Sequence, residues 1–153
     1  MSRVKVVIST EQGTRATISM TLTLAVDAMG GDDAPGIVIG GLAVAAEKHP
    51  DLHFLVYGHE AQVAPLLEQY AVLDGRLTFT HCEIIITGDE KPANALRGGK
   101  RDSSMRRAIE AVKEGEAQAV ISAGNTGALM ALAKVLLRMV PGVARPALAS
   151  PLP

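Results

Sequence analysis

Two stretches of this 153-residue chain, Ala25-Val-Asp-Ala-Met-Gly-Gly-Asp32 and Val120-Ile-Ser-Ala-Gly-Asn-Thr-Gly127, run from an apolar strand through glycines into a helix start. That order constrains the fold more than any other feature of the chain. A buried strand feeding a helix through a short glycine loop belongs to an α/β sheet, and it leaves a pocket at the helix N-terminus. There the helix offers unpaired backbone N–H groups and the positive end of its dipole. The glycines let a bulky oxyanion approach that backbone. Two such turns in one chain point to a phosphate-handling α/β protein.

Composition narrows the alternatives. Fifteen Lys and Arg nearly balance sixteen Asp and Glu. No global field draws in nucleic acid or an anionic surface. The only aromatics, Phe54, Phe79, Tyr57 and Tyr70, are too scattered for a base-stacking platform. Cys82 is the single cysteine, which excludes an intrachain disulfide and fits a reducing, cytoplasmic setting. His81 stands beside it, but no further Cys or His lies at ligand spacing, so no metal site is expected. Val4–Ile8 is too short for a secretory signal core, and the apolar run Gly127–Leu137 is broken by Lys134 and too short to cross a bilayer.

Residues 1–20 read as a loose extension with no helical or strand period, and Met20 as an alternative initiator; an extra edge strand at Val4–Ile8 is the competing reading. From residue 21 onward the pattern alternates. Leu22–Asp27 is a strand. Pro35–Lys48 is a helix with Pro35 in its first turn and Asp32 or Asp33 available as a cap. His53–Tyr57 is a strand, Ala61–Tyr70 a helix interrupted by Pro65, and Leu77–His81 a strand; Glu83–Thr87 is apolar and β-branched without clear bounds. Ser103–Glu114 carries Met105, Ala108, Ile109 and Val112 at helical spacing, with Asp102 or Ser103 as cap and Gly115 just past its end. Ala119–Ser122 is a strand, Thr126–Met139 an apolar helix, and Arg145–Ser150 another strand beginning. Strands alternating with helices predict an αβα arrangement on a mostly parallel sheet. Ending on an uncovered strand, the chain reads as the N-terminal portion, residues 21–153, of an incomplete domain.

Three loops carry candidate chemistry. In the first, Asp27 stands at the carboxyl end of its strand, where open α/β sheets place ligands, and Gly30 and Gly31 expose their backbone. In Gly98-Gly-Lys-Arg-Asp-Ser-Ser104, Lys100 brings charge, and Ser103 and Ser104 bring hydroxyls at a helix start. In the third, Gly124 permits a sharp turn, Asn125 can donate to an oxyanion, and Thr126 can cap the next helix. Neither a dinucleotide G-x-G-x-x-G nor a complete P-loop is present. An ordinary capped turn explains each loop on its own; three on one sheet edge are harder to dismiss.

These same segments, together with Val112-Lys-Glu-Gly115 and Arg145-Pro-Ala-Leu148, closely resemble the bacterial phosphate acyltransferase family (PlsX), in order from about Leu22 to the last residue. The resemblance implies a three-layer fold related to isopropylmalate dehydrogenase. It implies transfer of a fatty acyl group from acyl carrier protein to inorganic phosphate for phospholipid synthesis, with no cofactor. It also implies a peripheral, membrane-associated, cytoplasmic homodimer. Carried onto this chain, Asp27, Gly30, Gly31, Ser103, Gly124 and Thr126 would bind substrate, and Lys100, Ser104 and Asn125 would act on it. Asp33 stands where many relatives carry His. Because relatives are longer, the resemblance implies that this chain alone is inactive or very weak. A non-catalytic phosphate- or partner-binding fragment is the rival reading, and a nucleotide-using dehydrogenase relative a weaker third.

Overall fold

The computed structural model of the chain describes residues 6–8, 16–18, 21–97 and 100–147. Six strands are present among them: β1 (Val6–Ile8), β2 (Ala16–Ile18), β3 (Leu22–Asp27), β4 (Leu52–Gly58), β5 (Leu77–His81) and β6 (Ala119–Ile121). The helices are α1 (Gly36–Lys48), α2 (Glu60–Leu67), α3 (Pro92–Ala95), α4 (Ser104–Glu114) and α5 (Thr126–Leu136). Within the N-terminal extension, β1 and β2 pair antiparallel as a two-stranded sheet of their own. Gly98, Gly99 and the C-terminal part of the strand expected at Arg145–Ser150 lie outside the described residues.

β3 to β6 form one parallel sheet in the order β5-β4-β3-β6. Its strands are apolar on both sides, as a sheet covered by helices requires. Side chains alternate across the pleat. Val26, Phe54 and Val56 pack against Ile39, Leu42 and Ala46 of α1 and Val63 of α2. Ala25 and Tyr57 face the other way, onto Ala108 and Ala111 of α4 with Cys82 and Ala117. A third cluster joins Met105 and Ile109 of α4 to Ala128 and Leu132 of α5, with Ile86 and Ala95. The architecture is α/β in three layers, as read from the alternation.

Helix bounds differ from the sequence reading for local reasons. α1 begins at Gly36 with Pro35 as its cap residue, and no side-chain bond caps it; the carbonyl of Asp33, not a carboxylate, accepts from Ile37 N–H at 3.2 Å. α2 starts one residue early because His81 Nδ1 of β5 accepts the Glu60 N–H at 3.1 Å. It ends at Leu67 because the next amides, of Gln69 and Tyr70, bond to Leu66 and Leu67, three residues back, tightening the turn. α4 starts at Ser104, with Ser103 at the cap position but its hydroxyl making no cap bond, and ends on Gly115 at φ +81° as expected. α5 stops at Leu136, short of Met139, and Arg138 sits at φ +66°. Ile84 makes one isolated bridge, to Ser103; the Glu83–Thr87 segment forms no strand.

Burial shifts two titrations. It raises the Tyr57 hydroxyl, with Glu116 adding to the effect, and pushes the Cys82 thiol up to about 11, with Asp102 nearby adding to it. Cys82 is fully buried, a packing residue.

Phe54 is fully buried between the sheet and α1. Phe54→Ala is expected to lower unfolding free energy by about 3–5 kcal/mol, read from urea denaturation of the two variants side by side.

Candidate functional site

The chain runs β3, β4, β5 outward in one direction, then returns past β3 to place β6 on its far side. The connections leaving β3 and β6 therefore diverge to opposite faces. A crevice opens at the carboxyl ends of these two strands, the place where open α/β sheets bind ligands. Here the crevice is a cavity of about 650 Å³. The β3–α1 loop lines it with Met29, Gly31 and Asp32, the β6–α5 loop with Ala123, Gly124 and Asn125, and the α5 start with Thr126 and Gly127. Ile85, Ile86, Thr87 and Gly88 form the remaining wall.

Asp27 holds the two loops together. The residue is 2% exposed. Oδ2 accepts the Ser122 hydroxyl at 2.7 Å, and Oδ1 accepts the Met29 N–H at 3.2 Å. Ser122 Oγ in turn accepts the Gly124 N–H at 3.2 Å. Gly30 lies directly over this chain of bonds: a Cβ there would stand 2.7 Å from Gly124 N, 2.7 Å from Ser122 Oγ and 2.9 Å from Asp27 Oδ2. Gly31, at φ +110°, completes the turn in a conformation that glycine tolerates.

Asn125 is fully engaged in structure. Its Oδ1 caps α5 by accepting the Ala128 N–H at 2.9 Å. Its Nδ2 donates to the carbonyls of Thr87, Gly88 and Glu90 at 3.2, 3.1 and 2.7 Å. So Asn125, not Thr126 as expected, caps the helix, and the donors assigned to an oxyanion instead hold the facing loop. Thr87 also donates to Asp89 at 2.7 Å, which holds that carboxyl below its usual range. With Asn125 as cap, the Thr126 and Gly127 amides have no acceptor among the described residues. They are the free donors at the positive end of α5.

Of the residues singled out in the sequence, Asp27, Gly30, Gly31, Gly124, Asn125 and Thr126 come together here. Lys100, Ser103 and Ser104 do not line the cavity. The Lys100 ammonium pairs with Glu90 at 3.2 Å, one carbonyl away from Asn125. Ser103 and Ser104 are buried behind the Ile84–Ile86 wall, where the Ser104 N–H donates to Ile84 O at 3.2 Å; both hydroxyls lack a hydrogen-bond partner among the described residues. Met105, next in sequence, reaches the third loop, its Cε 3.4 Å from where a Gly124 Cβ would be. Sequence reasoning gave no role to Ser122 or to the Ile85–Gly88 wall. Ser122 carried a signal, a hydroxyl at a strand end opposite a buried Asp; the wall carried none.

Gly30→Ala is expected to part the two loops, because the contacted atoms are backbone and fixed polar groups. Denaturation should show a loss of about 1–3 kcal/mol. The amide resonances of Ser122–Asn125 should shift while those of β4 and β5 stay in place.

A family model described as "Fatty acid synthesis protein" matches residues 22–153. A phosphate acyltransferase of Parvibaculum lavamentivorans is 53% identical over 129 residues, covering 84% of this chain and 36% of that protein. One of Rhodospirillum rubrum is 49% identical over 136 residues, covering 89% and 39%, and one of Beijerinckia indica is 54% identical over 126 residues, covering 82% and 33%. The chain thus spans about a third of the length of these relatives. Matched from β3 to its last residue, the chain belongs to the fatty acid synthesis protein family, an enzyme family whose relatives here are phosphate acyltransferases.

Proposed function

We propose that this chain carries the phosphate site of an enzyme that moves a fatty acyl group from acyl carrier protein to inorganic phosphate. The observation that carries the reading is the switch-point cavity, lined by Thr126 and Gly127, whose amides have no acceptor among the described residues, and by Met29, Ile85 and Ile86. Amides at a helix start suit an oxyanion, and an apolar wall suits the acyl end of a thioester. In the reaction, a phosphate oxygen attacks the thioester carbon and the C–S bond breaks. Hydrogen phosphate and acyl thioester become acyl phosphate and free thiol, the phosphate's proton ending on sulfur. Amides fixed in place before the reaction can stabilise the charge that moves onto the thioester oxygen.

In this reading Asp27, Gly30, Gly31 and Gly124 shape the site, and Thr126 binds through its backbone. Ser103, Ser104 and Lys100 support it from behind the Ile84–Ile86 wall; Lys100 reaches an anion only by leaving Glu90. Acyl carrier protein, a second copy of the chain and a membrane surface are the proposed partners of the longer enzyme, working in the cytoplasm. Among the described residues no helix is long and apolar enough to cross a membrane.

Because the chain spans only part of its relatives' length, it is expected to bind phosphate without turning over at an enzymatic rate. Titrating inorganic phosphate into the labelled chain should move the Thr126 and Gly127 amide resonances in a saturable way. Unmoved amides would sink the site. Acyl phosphate formed at a normal enzymatic rate from the 153 residues alone, trapped as hydroxamate, would sink the expectation of inactivity.

A further inference from the structure

The residues lining the cavity include one acid, Asp32, and no Lys, Arg or His among the described residues. Asp27 does not share the role, since it is buried, with Oδ2 under Gly30. Asp32 is exposed at the corner of a tight turn, closed by the Ala34 N–H bonding Gly31 O at 3.3 Å. An oxyanion in this cavity therefore shares it with backbone dipoles and one acid, and no basic residue stands among the described lining residues to offset the repulsion.

That combination discriminates among anions. A carboxylate at contact distance repels a fully deprotonated tetrahedral anion, and the repulsion grows with the anion's charge. An anion that still carries a proton can donate it to the carboxylate, replacing repulsion with a charge-assisted hydrogen bond. Near neutral pH inorganic phosphate keeps at least one P–OH group; sulfate has none. The two are otherwise nearly the same in size and shape, so amide donors alone separate them poorly. Selectivity of this kind arises largely from a cost imposed on the wrong ligand.

We propose that Asp32 makes the cavity selective for inorganic phosphate over sulfate by accepting a hydrogen bond from the phosphate's P–OH group. This rests on reading the cavity as a phosphate site. It goes further in assigning the choice between two look-alike anions to one carboxylate, and in requiring the bound phosphate to be protonated.

The test is a pair of titrations of the full chain, with sodium phosphate and with sodium sulfate at matched ionic strength and neutral pH, read from the Thr126 and Gly127 amide resonances. The unaltered chain is expected to bind sulfate at least about tenfold more weakly than phosphate. Asp32→Asn removes the charge and supplies a donor, so sulfate affinity should rise about tenfold and the preference should collapse. Asp51→Asn, an exposed change of the same charge just before β4 at the opposite end of the sheet, should leave the ratio as it was. A ratio unchanged in Asp32→Asn, with phosphate still bound, overturns the role of Asp32 and leaves the phosphate site standing. Equal binding of both anions by the unaltered chain overturns it as well. If the unaltered chain binds neither anion, the site itself is wrong and the inference falls with it.

Discussion

The hydrogen bond from Ser122 to the buried carboxylate of Asp27, 2.7 Å long, is the contact on which the rest of the site depends. It joins residues 95 positions apart, at the ends of two adjacent strands whose connections diverge. No basic side chain bonds Asp27 among the described residues; its partners are one hydroxyl and one backbone N–H. A hydrogen bond to a charged group contributes about 1.5–3 kcal/mol, and leaving a buried charge unsatisfied costs more than a neutral group would. The pairing therefore fixes where the β3 and β6 loops sit relative to one another, beyond what the short three-residue β6 ladder could do alone.

Two consequences propagate from it. Ser122 Oγ is held so that it also accepts the Gly124 N–H, which turns the third loop toward Gly30. The backbones then approach so closely that neither position has room for a side chain: a Cβ on Gly124 would stand 3.0 Å from Gly30 Cα. With the loop so turned, Asn125 caps α5 and reaches back to the Thr87–Glu90 carbonyls, and Glu90 engages Lys100. The cavity's far wall is thus tied to the same point. Polar networks of this kind specify geometry because each member is satisfied only in one arrangement.

What the sequence made legible follows from how local each signal is. The alternation of strand and helix, the αL glycine Gly115 and the first and third loops are written in contiguous residues, and they appear where expected. The parallel order β5-β4-β3-β6 and the Ser122–Asp27 pairing depend on which distant segments become neighbours, and no local pattern encodes that. The second loop shows the limit most clearly. Lys100, Ser103 and Ser104 have the residue types of an anion site, yet Glu90 neutralises the lysine and the Ile84–Ile86 segment covers the serines. Glu90 and Ile85 carry no motif, so their effect was invisible until the chain was folded. Asn125 illustrates a related point: its amide is of a type that suits an oxyanion, and here its donors meet three backbone carbonyls of the irregular Thr87–Glu90 loop, which no local pattern encodes.

In the proposed site, an anion held by amides and one carboxylate rather than by a cluster of cations would also suit the proposed chemistry. Phosphate must arrive, be oriented and then act as a nucleophile. Lysine or arginine clamped on its oxygens would bind it more tightly, but would draw off the electron density that attack on the thioester requires. Binding the reactant more strongly than the transition state gains nothing in rate. Under the proposal, backbone N–H groups at the start of α5 would orient the anion with partial charges, fixed in place before the reaction begins, and would remain available as charge moves toward the thioester oxygen. The fold pairs Lys100 with Glu90 and does not place it among the residues that line the cavity.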